Sequence, residues 1–195
     1  TMTGSVTVSI TPVPGLFSVT GGGAFCSGGT GLAVGLSGSA TGINYQLKNG
    51  ASNVGSPVAG TGSALAFGNQ TSAGTYTVVA TNATTGCTSS MTGSATVVVN
   101  PLPSVFAITG TAGGYCIGGA GVAIGLFDAQ IGVNYQLQLN GSPTGGPQVA
   151  GTGVAISFGN QTAAGTYTVG ATNASTFCTS AMSGSVVVTI NPLPV

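Results

Sequence analysis

Ala73-Gly74-Thr75-Tyr76-Thr77-Val78-Val79-Ala80-Thr81-Asn82 decides how the rest of the chain is read. A turn signal leads into Tyr76, Val78 and Ala80, with threonines and Val79 between them. That is the period of two expected of a half-buried strand. The stretch returns as Ala164-Gly165-Thr166-Tyr167-Thr168-Val169-Gly170-Ala171-Thr172-Asn173, and each copy is followed by a cysteine, Cys87 and Cys178. Self-similarity at this spacing makes the chain a repeat protein, so its flanks are read twice over.

Downstream of each copy lies a second shared pattern. Met91-Thr92-Gly93-Ser94 runs on to Asn100-Pro101-Leu102-Pro103, and Met182-Ser183-Gly184-Ser185 to Asn191-Pro192-Leu193-Pro194. The opening Met2-Thr3-Gly4-Ser5-Val6-Thr7-Val8-Ser9-Ile10-Thr11-Pro12-Val13-Pro14 has the same form, and the methionines are 89 and then 91 residues apart. Residues 1–14 therefore read as the last strand of a preceding repeat, 15–103 as one complete repeat and 104–195 as a second. Two prolines in the four-residue link Asn100 to Pro103 favour an extended, stiff connection.

Within the first repeat, Phe17 to Thr20 reads as a short strand, followed by glycines 21–23 and Cys26. Leu32, Val34 and Leu36 mark a second strand, and Ile43, Tyr45 and Leu47 a third that ends at Asn49-Gly50. Ser56-Pro57-Val58-Ala59 suits an edge piece, because proline is tolerated there. Leu65 and Phe67, the Tyr76 strand and Ala95 to Val99 complete the set. The second repeat follows the same order through Phe106, Cys116, Val122 to Leu126, Val133 to Leu137, Ile156 to Phe158, the Tyr167 strand and Val186 to Ile190. No segment has a helical period. About seven short strands per repeat of about 90 residues predict an all-β chain of two tandem immunoglobulin-like antiparallel sandwiches. Tyr76 and Tyr167, each entering a late strand behind a glycine, are placed as tyrosine-corner residues.

Charge narrows the function. Lys48 and Asp128 are the only charged side chains in 195 residues and there is no histidine, whereas ordinary domains are about 25% charged. Such a surface holds neither nucleic acid by counterion release nor an anionic membrane by a basic patch. No apolar run reaches the ~18 residues of a membrane helix. Collagen is excluded, since the 36 glycines follow no triplet period. Low charge leaves little to keep surfaces apart, so self-association is expected.

The four cysteines allow three pairings, and the repeat favours Cys26 with Cys87 and Cys116 with Cys178, one intradomain disulfide each. Each bridge would close a loop of roughly 60 residues and stabilise by about 3–4 kcal/mol in the chain-entropy model, in an oxidising, extracellular or periplasmic setting. A metal site lacks ligands, with no Cys-x-x-Cys and no histidine. Catalysis lacks a base, since Asp128 is the sole carboxylate side chain and falls in one repeat only. No enzyme and no cofactor is expected. An isopeptide bond at Lys48 fails for want of an acid in its repeat, and Gln138 replaces the lysine in the other. Calcium fails for the same lack of carboxylates. Asn69, Asn82, Asn140, Asn160 and Asn173 begin glycosylation sequons. They are also ordinary turn residues, copied with the repeat.

Cys26-x-Gly-Gly, Asn44-Tyr45-Gln46-Leu47, Ala73 to Val78, Gly86-Cys87-Thr88 and the Asn-Pro-Leu-Pro link together resemble the immunoglobulin-like tandem repeats of giant surface adhesins and filaments of Bacteroidota, including gliding-motility adhesins exported by the type IX system. The resemblance implies a long secreted polypeptide at the cell surface in which such repeats form a stalk, with no binding residue to transfer. The expected function is thus structural, a repeat of an extracellular fibre or adhesin stalk whose partners are neighbouring repeats or copies of itself. An alternative is a filament subunit whose opening strand, with Val6, Val8 and Ile10, adds to the sheet of another molecule. A lesser one is a carbohydrate-binding module recognising surface glycans.

Overall fold

A computed structural model of the chain describes residues 10–111 and 113–193. It divides between Asn100 and Pro101 into two compact units. Among its described residues the first holds nine strands: β1 (Val19–Gly21), β2 (Gly23–Cys26), β3 (Leu32–Leu36), β4 (Ile43–Asn49), β5 (Ser52–Ala59), β6 (Leu65–Gln70), β7 (Gly74–Asn82), β8 (Thr88–Ser90) and β9 (Ala95–Asn100). One sheet runs β1-β3-β6 and the other β2-β9-β7-β4-β5, with β8 also on β7. Among these strands every pairing is antiparallel except β2 with β9, which is parallel. β8 and β9 lie successively along β7, so they are two parts of one broken strand. Two facing sheets in this order make an immunoglobulin-like sandwich.

The second unit repeats it with β10 (Ile108–Gly110), β11 (Gly113–Cys116), β12 (Val122–Leu126), β13 (Val133–Leu139), β14 (Ser142–Pro143), β15 (Val149–Ala150), β16 (Ile156–Gln161), β17 (Gly165–Asn173), β18 (Thr179–Ala181) and β19 (Val186–Asn191). Its sheets are β10-β12-β16 and β11-β19-β17-β13-β14, with β15 on β13 and β18 on β17. The single edge strand β5 of the first unit is here the two short pieces β14 and β15, separated by residues 144–148.

Alternation places one face of the longer strands inside. In the first unit Val34, Leu36 and Leu65 of one sheet meet Tyr45, Leu47, Tyr76, Val78, Ala80 and Val97 of the other. The second unit packs Ile124, Leu126 and Ile156 against Tyr135, Leu137, Tyr167, Val169, Ala171 and Val188. The tyrosines are the largest fully buried side chains, and their hydroxyls are satisfied. Tyr76 donates to the Ser72 carbonyl at 2.8 Å and Tyr167 to that of Ala163 at 2.9 Å, each four residues upstream. The hydroxyls of Tyr45 and Tyr135 accept from the Ala40 and Gln130 amides at 2.9 and 2.8 Å. No buried side-chain nitrogen or oxygen among the described residues lacks a partner, as a stable core requires.

β2 was not evident in the sequence, because its glycine-rich residues carry no alternating apolar pattern. It exists because the chain crosses from one sheet to the other at Gly21 and Gly22. Both have left-handed φ, 98° and 86°, and a Cβ at either would lie 2.0 Å from the Ala33 carbonyl oxygen or 2.6 Å from that of Thr96. Only glycine satisfies the torsion and the approach together. Ile10, the one described member of the expected strand-donor set, lies outside any strand and is 94% exposed; Val6 and Val8 fall outside the described residues.

Two consequences are measurable by equilibrium unfolding. Gly22→Ala should cost at least about 2 kcal/mol, from left-handed strain and backbone overlap combined. Tyr45→Phe, which strands the Ala40 amide, should cost about 1–3 kcal/mol. A change below ~0.5 kcal/mol in either would contradict these roles.

Candidate functional site

The strand register gives each unit two distinct poles. Gly23 is level with Val97 and Val97 with Gly74, so β2 and β9 run towards the end of the sheet at which β7 begins. At that end Cys26 lies opposite Asn100, and the Ser27 amide donates to the Asn100 carbonyl at 2.8 Å. Since Asn100 is the last residue of β9, this is the pole from which the chain leaves the unit; we call it the tail pole. β7 ends at Asn82 on the opposite, head pole. There the Asn82 amide donates to the Cys87 carbonyl at 2.9 Å, closing the loop. The chain also arrives at this pole: the Thr11 hydroxyl lies 3.8 Å from the Cys87 sulfur.

The second unit has the same polarity. Cys116 is opposite Asn191 at its tail pole, where the Ile117 amide donates to the Asn191 carbonyl at 3.0 Å. Asn173 donates to the Cys178 carbonyl at 2.9 Å at its head pole. The arriving chain is held beside it, with the Ser104 amide donating to Gln130 Oε1 at 2.9 Å.

This polarity overturns the expected disulfides. Cys26 and Cys87 lie beyond opposite ends of β7, nine residues long. At about 3.3 Å per residue that strand spans ~30 Å, while a disulfide needs its Cα atoms within about 7 Å. Cys116 and Cys178 are separated in the same way by β17, also nine residues. Neither intradomain pair forms. Cys87 and Cys116 are free thiols, half-buried and exposed respectively, whereas Cys26 and Cys178 are disulfide-bonded. Sequence spacing matched cysteines between repeats correctly, but it carries no record of which end of a sheet a residue occupies.

The head-pole loops are built alike. Asn82 Oδ1 accepts from the Thr84 and Thr85 amides at 2.9 and 3.0 Å, and Asn173 Oδ1 from Ser175 and Thr176 at the same distances. Both asparagines thus cap a turn, which is the structural work their sequon spacing had left open. Gly86 takes the left-handed position of the first loop at φ 72°; in the second that place falls to Phe177, at φ 58° and 75% exposed. Of the other sequon asparagines, Asn69 donates from Nδ2 to the Thr30 carbonyl at 3.3 Å, Asn140 Oδ1 accepts from the Thr166 amide at 3.0 Å, and Asn160 is exposed.

Electrostatics at the poles are sparse. Hydrogen bonding by the Thr85 hydroxyl, and then by that of Thr11, holds the Cys87 thiol below its usual range. Burial pushes Tyr135 and Tyr167 above the usual phenol range. Asp128 Oδ1 accepts from the Ala129 amide at 2.7 Å, and Lys48 Nζ donates to the Ala51 carbonyl at 3.3 Å. No cluster of three metal-ligating side chains occurs among the described residues. An open groove of about 630 Å³ crosses the outer face of β12 and β16, lined by Thr109, Ala123, Gly125, Phe127 and Ser157. It has no titratable side chain among these and so no acid–base chemistry to offer.

No protein-family model matches the chain, and no curated protein matches it in sequence. Among solved structures it is similar to the fibronectin(III)-like modules of Clostridium thermocellum CbhA, at 15% identity over 89% of this chain and 94% of that one, with a TM-score of 0.43. It is also similar to a chain of the mouse coronavirus receptor-binding domain complexed with its murine receptor (13% identity, 89% and 100% covered, TM-score 0.45) and to murine CEACAM1b (13%, 89% and 100%, 0.41).

With one carboxylate and one ammonium side chain, stability should be nearly level from about pH 5 to pH 8. Tyr135 and Tyr167 hold their protons more tightly folded than unfolded. Their contribution is complete below the unfolded value of ~10 and is lost as pH rises through the higher folded values. Urea unfolding of thiol-alkylated protein across this range checks it. A one-proton slope between pH 5 and pH 8, or no decline above ~10, would contradict it.

Proposed function

We propose that the chain is a structural segment of an extracellular fibre or adhesin stalk, whose units act in series. The observation that carries this reading is the polarity of each unit. The chain comes in at the head pole and leaves at the tail pole, with the whole length of the sandwich between. A binding module held by a linker has no need of that arrangement; a load-bearing one does.

Tension applied through the two ends of a unit acts along β2 and β9, which run parallel over four registered pairs from Gly23–Val97 to Cys26–Asn100. Pulling shears these pairs together instead of opening them one at a time. β11 and β19 offer the same four pairs in the second unit, Gly113–Val188 to Cys116–Asn191. The Asn100-Pro101-Leu102-Pro103 link supports the reading, because proline keeps it extended. So does the nearly uncharged surface, whose contacts are insensitive to salt. Disulfide-bonded cysteines fit an oxidising, extracellular location. Partners under this reading are neighbouring repeats.

The native polypeptide, denatured and reduced, should have a mass far above 18.4 kDa. A mass near that value would replace the serial segment with a separate subunit.

A further inference from the structure

The two units differ in what their head poles expose. In the second, the loop after β12 begins with Phe127 and carries Ile131, the loop before β16 carries Val154, and the turn after β17 carries Phe177. These side chains are 73%, 74%, 63% and 75% exposed. The same positions of the first unit hold Ser37, Thr41, Ser63 and Gly86, all exposed as well. Large apolar groups thus replace small or polar ones with no gain of burial. Hydrogen bonds knit the loops into one surface: the Gly153 amide donates to the Ala129 carbonyl at 2.7 Å, and the Ala174 amide to that of Gly132 at 2.9 Å. Ile131 Cδ1 lies over Gly153, 3.3 Å from where a Cβ would stand. Apolar groups exposed together in this way mark an interaction surface. Asp128, the only carboxylate side chain, follows Phe127 in this cluster, where the first unit has Gly38.

We propose that the head pole of the second unit docks a second copy of this chain, at the outer face of β4 around Lys48. Charge complementarity selects that occupant. Lys48 is the only cationic side chain, and it too belongs to one unit alone, since Gln138 replaces it in the other. Each repeat therefore carries a single charge, and the two are opposite. Contact between two copies of the same head pole would bring Asp128 against Asp128, which like-charge repulsion opposes. Contact with β4 brings it against an ammonium. Lys48 Nζ is at the surface, donating to the Ala51 carbonyl at 3.3 Å, and its neighbours across the flanking strands are the neutral Thr77 and Asn53.

A lysine suits an apolar surface that holds one acid, because its methylene stem packs on apolar side chains while the ammonium meets the carboxylate. A partner without a cation would leave that carboxylate desolvated and unpaired, so the acid supplies specificity. With net charge near zero, little repulsion opposes the approach of like copies. Each copy offers both halves, the acid on one unit and the lysine on the other. The contact is heterologous and joins copy to copy. This inference goes beyond the serial reading and does not depend on it.

A water-soluble carbodiimide condenses a carboxylate and an amine in contact into an amide. Added to the concentrated, thiol-alkylated chain, it should give products at multiples of 18.4 kDa. In a mixture of unlabelled and heavy-isotope-labelled chains, mass spectrometry should join the peptides bearing Lys48 and Asp128, with both labels in the joined pairs. An equimolar mixture of Lys48→Gln and Asp128→Asn should still give that dimer, and neither variant alone should. Phe127→Ser, Ile131→Thr, Val154→Ser and Phe177→Gly, made together, give the second unit the residues with which the first one folds. With its urea midpoint unchanged, this variant should self-associate at least about tenfold more weakly in sedimentation velocity. Joined pairs carrying one label only, a wild-type chain that stays monomeric, or unchanged association of the four-residue variant would each overturn the proposal. Loss of association in that variant with no Lys48–Asp128 pair would mean a different occupant, and overturn it too.

Discussion

The parallel alignment of β2 with β9, and of β11 with β19, is the constraint on which the rest of the structure depends. An immunoglobulin-like chain that kept its first strand wholly in the β1-β3-β6 sheet would leave the edge of β9 open. In the first unit the strand crosses over at Gly21 and Gly22 and covers that edge. The crossing costs conformational entropy, since glycine is the most mobile residue in the unfolded chain. It gains four registered pairs, and it carries Cys26 to the pole at which the chain departs. Shear alignment, edge protection and the placing of a tail-pole sulfur are thus one event. Gly21 and Gly22 permit it, because any side chain there meets the carbonyl of Ala33 or Thr96.

Given that constraint, the core is held without charge. Buried tyrosines take the central places, and backbone groups within five residues satisfy their hydroxyls. These bonds are local and neutral, so they need no ion pair and respond to neither salt nor pH in the physiological range. The same economy holds at the surface, where turn-capping asparagines and threonines do what charged residues do elsewhere. A chain so composed has almost no side chains for acid–base chemistry.

Much of this was legible in the sequence, and the boundary is instructive. The strands around Tyr45, Tyr76 and Leu36 were readable because alternation reports directly on burial. The edge strand β5 was seen only at its end, from Ser56, because its first residues are polar and glycine-rich. β2 was invisible, since Gly23-Ala24-Phe25-Cys26 has no alternation to detect and is a strand only because β9 lies beside it. The cysteines failed for a different reason. Repeat symmetry tells which cysteines are equivalent, but it does not tell which lie near one another. The strand β7 between Cys26 and Cys87 is long enough to forbid their pairing, but only the register shows that they lie beyond its opposite ends. Pole identity is a property of topology, and it was the missing piece.

The account's central claim is that each unit is a separate load-bearing element clamped in shear between its first and last strands. Single-molecule pulling through the two termini, in reductant so that the bonded cysteines do not limit extension, addresses it most directly. The account predicts two discrete, cooperative unfolding events, each releasing roughly 300 Å for about 90 residues at 3.3–3.6 Å apiece. Gradual extension without discrete events, or one event releasing the whole chain, would contradict it.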